Sequence, residues 1–261
     1  MKKKIVVFGD LPIGTKVIID LIKRTDVELI GVVTSGKKFN NNDPWGNTPT
    51  VSQFAKLKKI QILSLNDLLS IKTNLDIGFL CRFNKILSSK IIKKFSQGII
   101  NFHGGLLPEC SGLYSSCHSI LLKHKKGGGT LHYIDSGIDT GNIIIRNEFK
   151  INNKDTSISV FKKTQIALLN GYHKVIDSII AGNVKSIPQE KFIQKGIKRN
   201  YFNKNSLKGK RKIKISASKK DILRIVRAFD HPNHKGAYML INGNKVYLST
   251  LNKDKNDIKF N

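Results

Sequence analysis

Asn101 and His103 are the residues whose type and spacing most clearly suggest chemistry. They stand two positions apart in the stretch GIINFHGGLLPE, so on a strand both side chains would project to the same face. A carboxamide can donate a hydrogen bond to an oxygen that gains negative charge, and an imidazole can transfer a proton near neutral pH. Two glycines follow, which would let the chain turn sharply and leave room for a ligand. The pair therefore predicts a reactive site where a buried strand ends.

Two aspartates in a glycine-containing loop are further candidates for the same site. Asp135 and Asp139 lie in the stretch HYIDSGIDTGNII, downstream of His103. A carboxylate beside His103 would hold the imidazole and favour its protonated form. Asp139 is the stronger candidate, because the Asp-Thr-Gly turn would fix its position. The alternative is that both aspartates only bind the amides of their own loop, as turn aspartates often do.

The elements that must position these residues follow an alternating pattern. Short apolar runs alternate with helix-like segments through the first half of the chain. This predicts an α/β fold with a Rossmann-like, doubly wound and mostly parallel sheet, in which ligands bind at the carboxyl ends of strands. Residues 129–151 favour two strands joined by a glycine-rich loop, and residues 156–183 favour a long helix that ends at Gly182.

The chain divides into three parts by composition and apolar patterning. We predict a catalytic domain at residues 1–185, a polar and basic linker on the surface at 186–212, and a small C-terminal domain at 213–261. The small domain combines a short helix with a hairpin, because Asn242-Gly243 is a pair that favours a tight turn between two strands.

The charge of the chain raises a second class of function. The formal net charge is +28, which is typical of proteins that bind nucleic acid. Only seven of the 46 basic residues are arginines, however, and lysine occurs together with abundant asparagine and isoleucine. Because recognition of phosphates and bases favours arginine, we attribute the charge to a lysine-rich background with a modest benefit for anionic substrates. A basic nucleic-acid-binding protein is kept as an alternative, although no RNP, KH or zinc motif is present in the sequence.

Other features narrow the class further. The three cysteines show neither paired nor metal-binding spacing, which predicts free thiols, a reducing compartment and no metal site. No apolar stretch approaches ~20 residues, and the first apolar run is too short for a signal peptide, so we expect a cytoplasmic protein. The loop FGDLPIG lacks the three-glycine dinucleotide fingerprint, which argues against nicotinamide or flavin binding.

NFHGGLLPE and IDSGIDTGN together resemble the folate-dependent formyltransferases. That family reads Asn-x-His, then Leu-Leu-Pro, then Asp-x-Gly-x-Asp-Thr-Gly, and the resemblance covers most of residues 1–180 in element order. It implies transfer of a formyl group from N10-formyltetrahydrofolate to an amine, without a metal. Asn101 would bind the tetrahedral oxyanion. His103 would take the proton of the amine or, when protonated, stabilise the oxyanion, and Asp139 would orient His103 and help to relay protons.

The same resemblance implies a folate slot beside these residues. One side of the pterin ring would meet backbone groups and apolar walls from the end of a strand and its loop, and the loop that begins at Asp135 would close the other side. Taken singly, Phe83 and Ile86 are as well explained as ordinary core residues. The residues implied for folate contact are Leu80, Cys81, Phe83, Ile86 and Asp135.

Three subgroups of this family compete. The purine-pathway enzyme usually has Asp-Gly-Gly where this chain has Asp139-Thr140-Gly141, and it lacks a second domain. The initiator methionyl-tRNA formyltransferase carries a larger C-terminal domain and a basic stretch where this chain has Glu109. The sugar N-formyltransferases match the size and the tail better. They imply a dTDP-linked 4-amino-4,6-dideoxyhexose as substrate, for lipopolysaccharide O-antigen biosynthesis, with GDP- and UDP-linked amino sugars left open.

The sugar subgroup also implies candidate substrate contacts in two segments. Tyr114 would stack on a base or a sugar, or else cap the core. The sugar enzymes are often dimers, so the resemblance implies a homodimer, for which the C-terminal hairpin is a candidate contact. The implied substrate-binding residues are Gly9, Asp10, Pro12, Ser111 and Tyr114.

Overall fold

A computed structural model of the chain describes residues 1–35, 43–232, 235–250 and, as backbone, 258–260. Seven strands form the main sheet, in the order β3-β2-β1-β4-β5-β7-β8. Strands β3, β2, β1, β4 and β5 are parallel, and β7 and β8 are antiparallel to their neighbours. The predicted α/β fold with a mostly parallel sheet is therefore confirmed. The strands of this sheet are β1 (Lys3–Gly9), β2 (Val27–Val33), β3 (Ile62–Leu63), β4 (Ile77–Cys81), β5 (Ile99–His103), β7 (Lys126–Tyr133) and β8 (Ile143–Lys150).

Helices cover both faces of the sheet. One apolar cluster packs the sheet against the first, second and sixth helices, and a second cluster packs the other face against the third and fourth. The helices are α1 (Pro12–Leu21), α2 (Val51–Leu57), α3 (Leu65–Ser70), α4 (Ser89–Ile92), α5 (Ser115–Leu121), α6 (Ser157–Ala181), α7 (Glu190–Gln194) and α8 (Lys219–Phe229).

Local sequence accounts for the long helix α6. Thr156 and Ser159 form a capping box at its start, and Gly182 ends it in the left-handed conformation with φ 75°. Gly129 lies so close to Leu168 of α6 that a Cβ there would meet its side chain. The predicted helix is confirmed, and so are the two strands β7 and β8 that precede it.

The C-terminal region packs on the catalytic part through a third apolar cluster. Cys117 and Ile120 of α5 and Val160 of α6 share this cluster with Val226 and Phe229 of α8. A small sheet follows, formed by β10 (Ala237–Ile241), β11 (Asn244–Thr250) and β12 (Ile258–Phe260). Asn242 and Gly243 both have positive φ, so the predicted hairpin turn is present. Part of the predicted small domain lies outside the described residues.

The segment 186–212, which the sequence predicts as a surface linker, is largely exposed but makes specific contacts with the catalytic part. Gln189 and Phe202 are buried, and Phe202 stacks on His118 at 3.7 Å between ring centres. Two short strands, β6 (Ser111–Gly112) and β9 (Tyr201–Phe202), pair in parallel and join the segment to the loop after β5. The segment is therefore packed against the catalytic part. A pattern-based analysis misses this because its buried residues are isolated between polar ones.

In the part of the chain that the structure describes, no helix has both the length and the apolar character needed to cross a membrane.

Candidate active site

Asn101, His103 and Asp139 meet at the carboxyl end of β5. An oxygen of the Asp139 carboxylate lies 3.4 Å from Nδ1 of His103, and the other lies 3.4 Å from Nδ2 of Asn101. Asp139 comes from the loop after β7, which folds back over the sheet, and its backbone has a φ of 53°. The His103 side chain is 5% exposed and that of Asp139 is 12% exposed. The structure therefore brings together the three residues that the sequence predicts as catalytic.

The surroundings of Asp139 keep it ionised. Its Oδ2 accepts a hydrogen bond of 2.7 Å from the backbone N–H of Gly112, and its Oδ1 lies 3.6 Å from Nε2 of His132. Burial by itself would raise the pKa of this carboxyl. The charge of His103 in its protonated form and the hydrogen bond from the Gly112 amide outweigh burial and hold the pKa of Asp139 well below its usual range.

The hydrogen bonds of His103 define which ring nitrogen can act as a base. Nε2 lies 2.7 Å from the backbone oxygen of Cys110, so Nε2 carries a proton and donates it. In the neutral ring, Nδ1 therefore has the free lone pair, and Nδ1 is the atom that faces Asp139. Burial lowers the pKa of His103 below its ordinary value, against the attraction of Asp139. A proton taken up at Nδ1 would be stabilised by the Asp139 carboxylate.

His132 is a site residue that the sequence analysis missed. It is buried on β7, directly opposite Asn101 in the strand pairing. Its Nδ1 lies 2.8 Å from the backbone oxygen of Tyr133 and must donate to it, so Nε2 accepts from Nδ2 of Asn101 at 3.0 Å. The two contacts of Nδ2 thus hold the Asn101 carboxamide in one orientation. The sequence contains only a weak sign of this role, since His132 lies in a predicted strand and its pairing with β5 is known only from the structure.

The loop that carries Asp139 is anchored from the segment after α6. The side-chain amide of Gln189 donates to the backbone oxygens of Asp139 and Gly141, each at 2.9 Å. Arg199 donates to the backbone oxygen of Ile138 at 3.1 Å. These contacts join residues 48 to 61 positions apart, and no local motif marks them.

Asp135 shapes the same loop. Its Oδ1 accepts hydrogen bonds from the backbone N–H of Gly137 and from the hydroxyl of Thr140. This is the structural role that the sequence analysis kept as the alternative for the loop aspartates. A folate contact through Asp135 stays a prediction.

The other residues predicted for folate contact lie at the end of β4 and in the loop after it. Leu80 and Phe83 are buried in the second cluster, against which Ile134 from the Asp139 loop also packs. The Cys81 side chain faces the first cluster on the opposite face of the sheet, so only its backbone is available to a ligand there. Ile86 is 88% exposed. The two predicted sides of the slot thus share one face of the sheet.

The predicted substrate contacts fall into two places. Gly9 ends β1 beside Cys81, Asp10 is buried and accepts a hydrogen bond of 2.7 Å from the N–H of Ser35, and Pro12 begins α1. Ser111 is buried in β6, where its N–H donates to the backbone oxygen of Asn200. Tyr114 has a φ of 61° just before α5 and packs partly against the third cluster. Their roles toward a substrate stay predictions.

Arg82 is another residue that the sequence analysis passed over. It follows β4 with a φ of 59°, and its guanidinium lies beside Gly104, where a Cβ would meet Nη1. The centre of the guanidinium lies 5.5 Å from the ring centre of Phe161 in α6. Burial lowers the pKa of Arg82, and the charge of Asp139 acts in the opposite direction. Within the described ranges, its side chain makes no hydrogen bond or ion pair, and its Nε is buried without a partner.

Glu109, which stands where a basic residue is expected in the tRNA enzymes, has a partner of its own. Its Oε1 accepts a hydrogen bond of 2.7 Å from Arg146 of β8, and Arg146 lies 5.2 Å from the ring centre of Phe192. Glu109 and Arg146 line a cavity of about 310 Å³ between the loop after β5 and strands β7 and β8.

Among the residues that the structure describes, no group of three or more His, Cys, Asp or Glu side chains is arranged to hold a metal.

The family of the chain follows from comparison with known proteins. Residues 3–176 match the family described as formyl transferase. The chain belongs to this family, as the two sequence motifs indicated.

Solved structures resemble nearly the whole chain. A 4-N formyltransferase from Francisella tularensis is 27% identical, with a TM-score of 0.75 over 95% of this chain and 96% of that one. WlaRD, a sugar 3N-formyl transferase solved with dTDP and 5-N-formyl-THF, is 26% identical, with a TM-score of 0.76 over 95% of this chain and 87% of that one.

Curated relatives resemble a shorter part of the chain. Methionyl-tRNA formyltransferase of Bacillus velezensis is 28% identical over 172 residues, which is 62% of this chain and 54% of the relative. The chain thus spans about half the length of the curated relatives of this kind that it matches.

Proposed function

We propose that this protein is a folate-dependent N-formyltransferase that acts on the amine of a nucleotide-linked amino sugar. The observation that carries the proposal is the convergence of Asn101, His103 and Asp139 around one point. The similarity of nearly the whole chain to a 4-N formyltransferase and to a sugar 3N-formyl transferase favours a sugar as the acceptor. The nearest candidate is a dTDP-linked 4-amino-4,6-dideoxyhexose, and the product would serve lipopolysaccharide O-antigen biosynthesis.

The residues beside the site fit N10-formyltetrahydrofolate as the formyl donor. Two loops on the same face of the sheet, after β4 and before Asp139, each present a large apolar side chain to solvent. Ile86 is 88% exposed and Ile138 is 49% exposed. A flat pterin ring covered by such side chains removes apolar surface from water, which is favourable for both partners. The WlaRD structure with a formylated folate is consistent with this assignment.

Each of the three residues has a separate part in the reaction. N10-formyltetrahydrofolate supplies an activated formyl group when it is bound. Nδ1 of His103 would take the proton of the attacking amine, and Asp139 would stabilise the imidazolium. The imidazolium would then return that proton to the departing nitrogen as the bond between it and the formyl carbon breaks, so that tetrahydrofolate leaves and His103 is neutral again. Asn101 donates to the formyl oxygen as that oxygen gains negative charge, and it gives up its longer contact, of 3.4 Å, with Asp139. The contact with His132, of 3.0 Å, keeps the carboxamide oriented meanwhile.

The initiator methionyl-tRNA enzyme is the second candidate, because curated relatives of this chain carry that name. Against it, Glu109 is neutralised by Arg146 in the loop where the tRNA enzymes are expected to be basic.

We also expect a homodimer, for which the hairpin of β10 and β11 offers the exposed side chains of Ile241 and Tyr247.

A substrate panel tests the proposal. The protein is incubated with N10-formyltetrahydrofolate and dTDP-, GDP- or UDP-linked amino sugars, or with charged initiator tRNA, and mass spectrometry follows the gain of one formyl group. The expected result is formylation of a nucleotide-linked amino sugar alone. Formylation of the tRNA alone would move the protein to the second candidate. Salt-sensitive binding of random RNA without any folate binding would favour the nucleic-acid-binding class.

A further inference from the structure

We propose that Arg82 binds the diphosphate of the nucleotide-linked substrate, and this inference rests on the proposed function. An arginine offers five N–H donors in a planar fork that matches phosphate oxygens. The Arg82 side chain uses none of them on a described residue, and its Nε is buried without a partner. By contrast, Arg24 on the surface donates to both Asp26 and Asp177. A partly buried cation that forms no ion pair or hydrogen bond is costly, and Asp139 acts on Arg82 only through its more distant charge, so an anion from outside the chain is the natural partner.

The backbone around Arg82 is shaped to present this side chain. A φ of 59° is unfavourable for a residue with a side chain. Gly104 leaves free the space that the guanidinium occupies, since a Cβ at that position would meet its Nη1. Phe161 offers a ring face at 5.5 Å, which stabilises a cation without neutralising its charge. All three features hold the fork in place while its donors stay available.

The position of Arg82 indicates which ligand it meets. Phe161 belongs to α6, whose residues Leu168 and Tyr172 pack on the first cluster. The loops assigned to the folate lie on the opposite face, with Leu80, Phe83 and Ile134 in the second cluster. Arg82 thus lies on the side of the sheet away from the folate, yet its charge acts on both His103 and Asp139. The anion of the amine-bearing substrate fits this place, and in a nucleotide-linked sugar that anion is the diphosphate.

The test compares the wild type with Arg82→Gln, Arg82→Lys and the control Arg24→Gln. Calorimetry measures binding of dTDP, UDP, GDP and, separately, 5-formyltetrahydrofolate, and thermal melting checks the fold. We expect Arg82→Gln to weaken nucleoside diphosphate binding about tenfold or more, as the loss of a charge-assisted contact predicts. Arg82→Lys keeps the charge without the fork and should be intermediate. Folate binding should stay unchanged in every variant.

The outcomes separate this inference from the proposed function. If the wild type binds a nucleoside diphosphate and Arg82→Gln binds it equally well, the inference alone is overturned. A loss of turnover in Arg82→Gln with unchanged diphosphate binding also overturns it, because Arg82 would then act on the reacting atoms. If the wild type binds none of the three diphosphates, the proposed function fails and the inference fails with it. If Arg82→Gln does not fold, diphosphate binding by Arg82→Lys is compared with that of the wild type, and equal binding overturns the inference.

Discussion

The side-chain amide of Gln189 donates two hydrogen bonds around Asp139, to the backbone oxygens of Asp139 itself and of Gly141. Gln189 is fully buried, and it makes these contacts from the segment after α6. Its role is to fix the loop, so that the carboxylate stays within reach of His103 and Asn101. The geometry of the site therefore depends on a residue fifty positions away in sequence.

Replacement of Gln189 should lower turnover without unfolding the protein. In Gln189→Ala, two backbone oxygens lose their donors and the Asp139 loop loosens, so we expect kcat to fall about tenfold, as loss of positioning by a remote residue predicts. Steady-state kinetics measures the change, and Gln194→Ala at the exposed end of α7 is the matched control. Equal kcat values for the two variants would show that the loop does not depend on Gln189.

The rate should depend on pH through His103. A base must be unprotonated, so kcat/KM is low in acid, rises as pH passes the pKa of His103, and is level above it. Because burial lowers that pKa, the midpoint of the rise should lie below 6.5. In Asp139→Asn, the loss of the negative charge should lower the pKa further and move the midpoint to lower pH, with a smaller plateau. A midpoint above 6.5 in the wild type would contradict a neutral, buried His103.

His132 should act through Asn101. In His132→Ala the Asn101 amide loses its 3.0 Å partner, so we expect kcat to fall by about tenfold to a hundredfold, with little change in the KM for the folate. His132→Gln can offer an acceptor near the same place and should recover part of the rate. Wild-type kcat in His132→Ala would show that the orientation of Asn101 does not need His132.

Gly141 and Gly171 form a matched pair for stability. A Cβ at Gly141 would fall on the backbone oxygen of Tyr133, whereas a Cβ at Gly171, inside α6, would meet only Ile145 and Asn147 at ordinary distances of 3.5 and 3.6 Å. We expect Gly141→Ala to lower the free energy of unfolding by about 2 kcal/mol. Gly171→Ala should raise it by up to about 1 kcal/mol, because alanine is the better helix former. Chemical denaturation checks both values, and the reverse order would contradict the described packing.

The sequence predicted the parts of this structure that local patterns encode. The β–α alternation, the long helix α6 and the turn at Asn242-Gly243 were each marked by periodicity or by turn residues, and Asn101, His103 and Asp139 lie in short motifs. His132, Gln189 and Arg82 were missed for one physical reason. His132 is placed by strand pairing, Gln189 by a long-range contact, and Arg82 by its own left-handed backbone after β4. None of these features leaves a local pattern in the sequence.

The linker predicted at 186–212 is largely exposed, but its polar composition did not indicate the contacts that it makes. Phe202 stacks on His118, and β9 pairs with β6. The buried residues of this segment are isolated among polar ones, and the average composition of the segment does not reveal them.

The most direct test of the account is the rate of formyl transfer in His103→Ala, measured with isotopically labelled N10-formyltetrahydrofolate and the amino sugar that the panel identifies. If Nδ1 of His103 is the base and Asp139 its stabilising partner, removal of the imidazole should lower kcat by about a hundredfold to ten-thousandfold while the melting temperature and folate binding stay near those of the wild type. A folded His103→Ala protein that transfers the label at close to the wild-type rate would contradict the account.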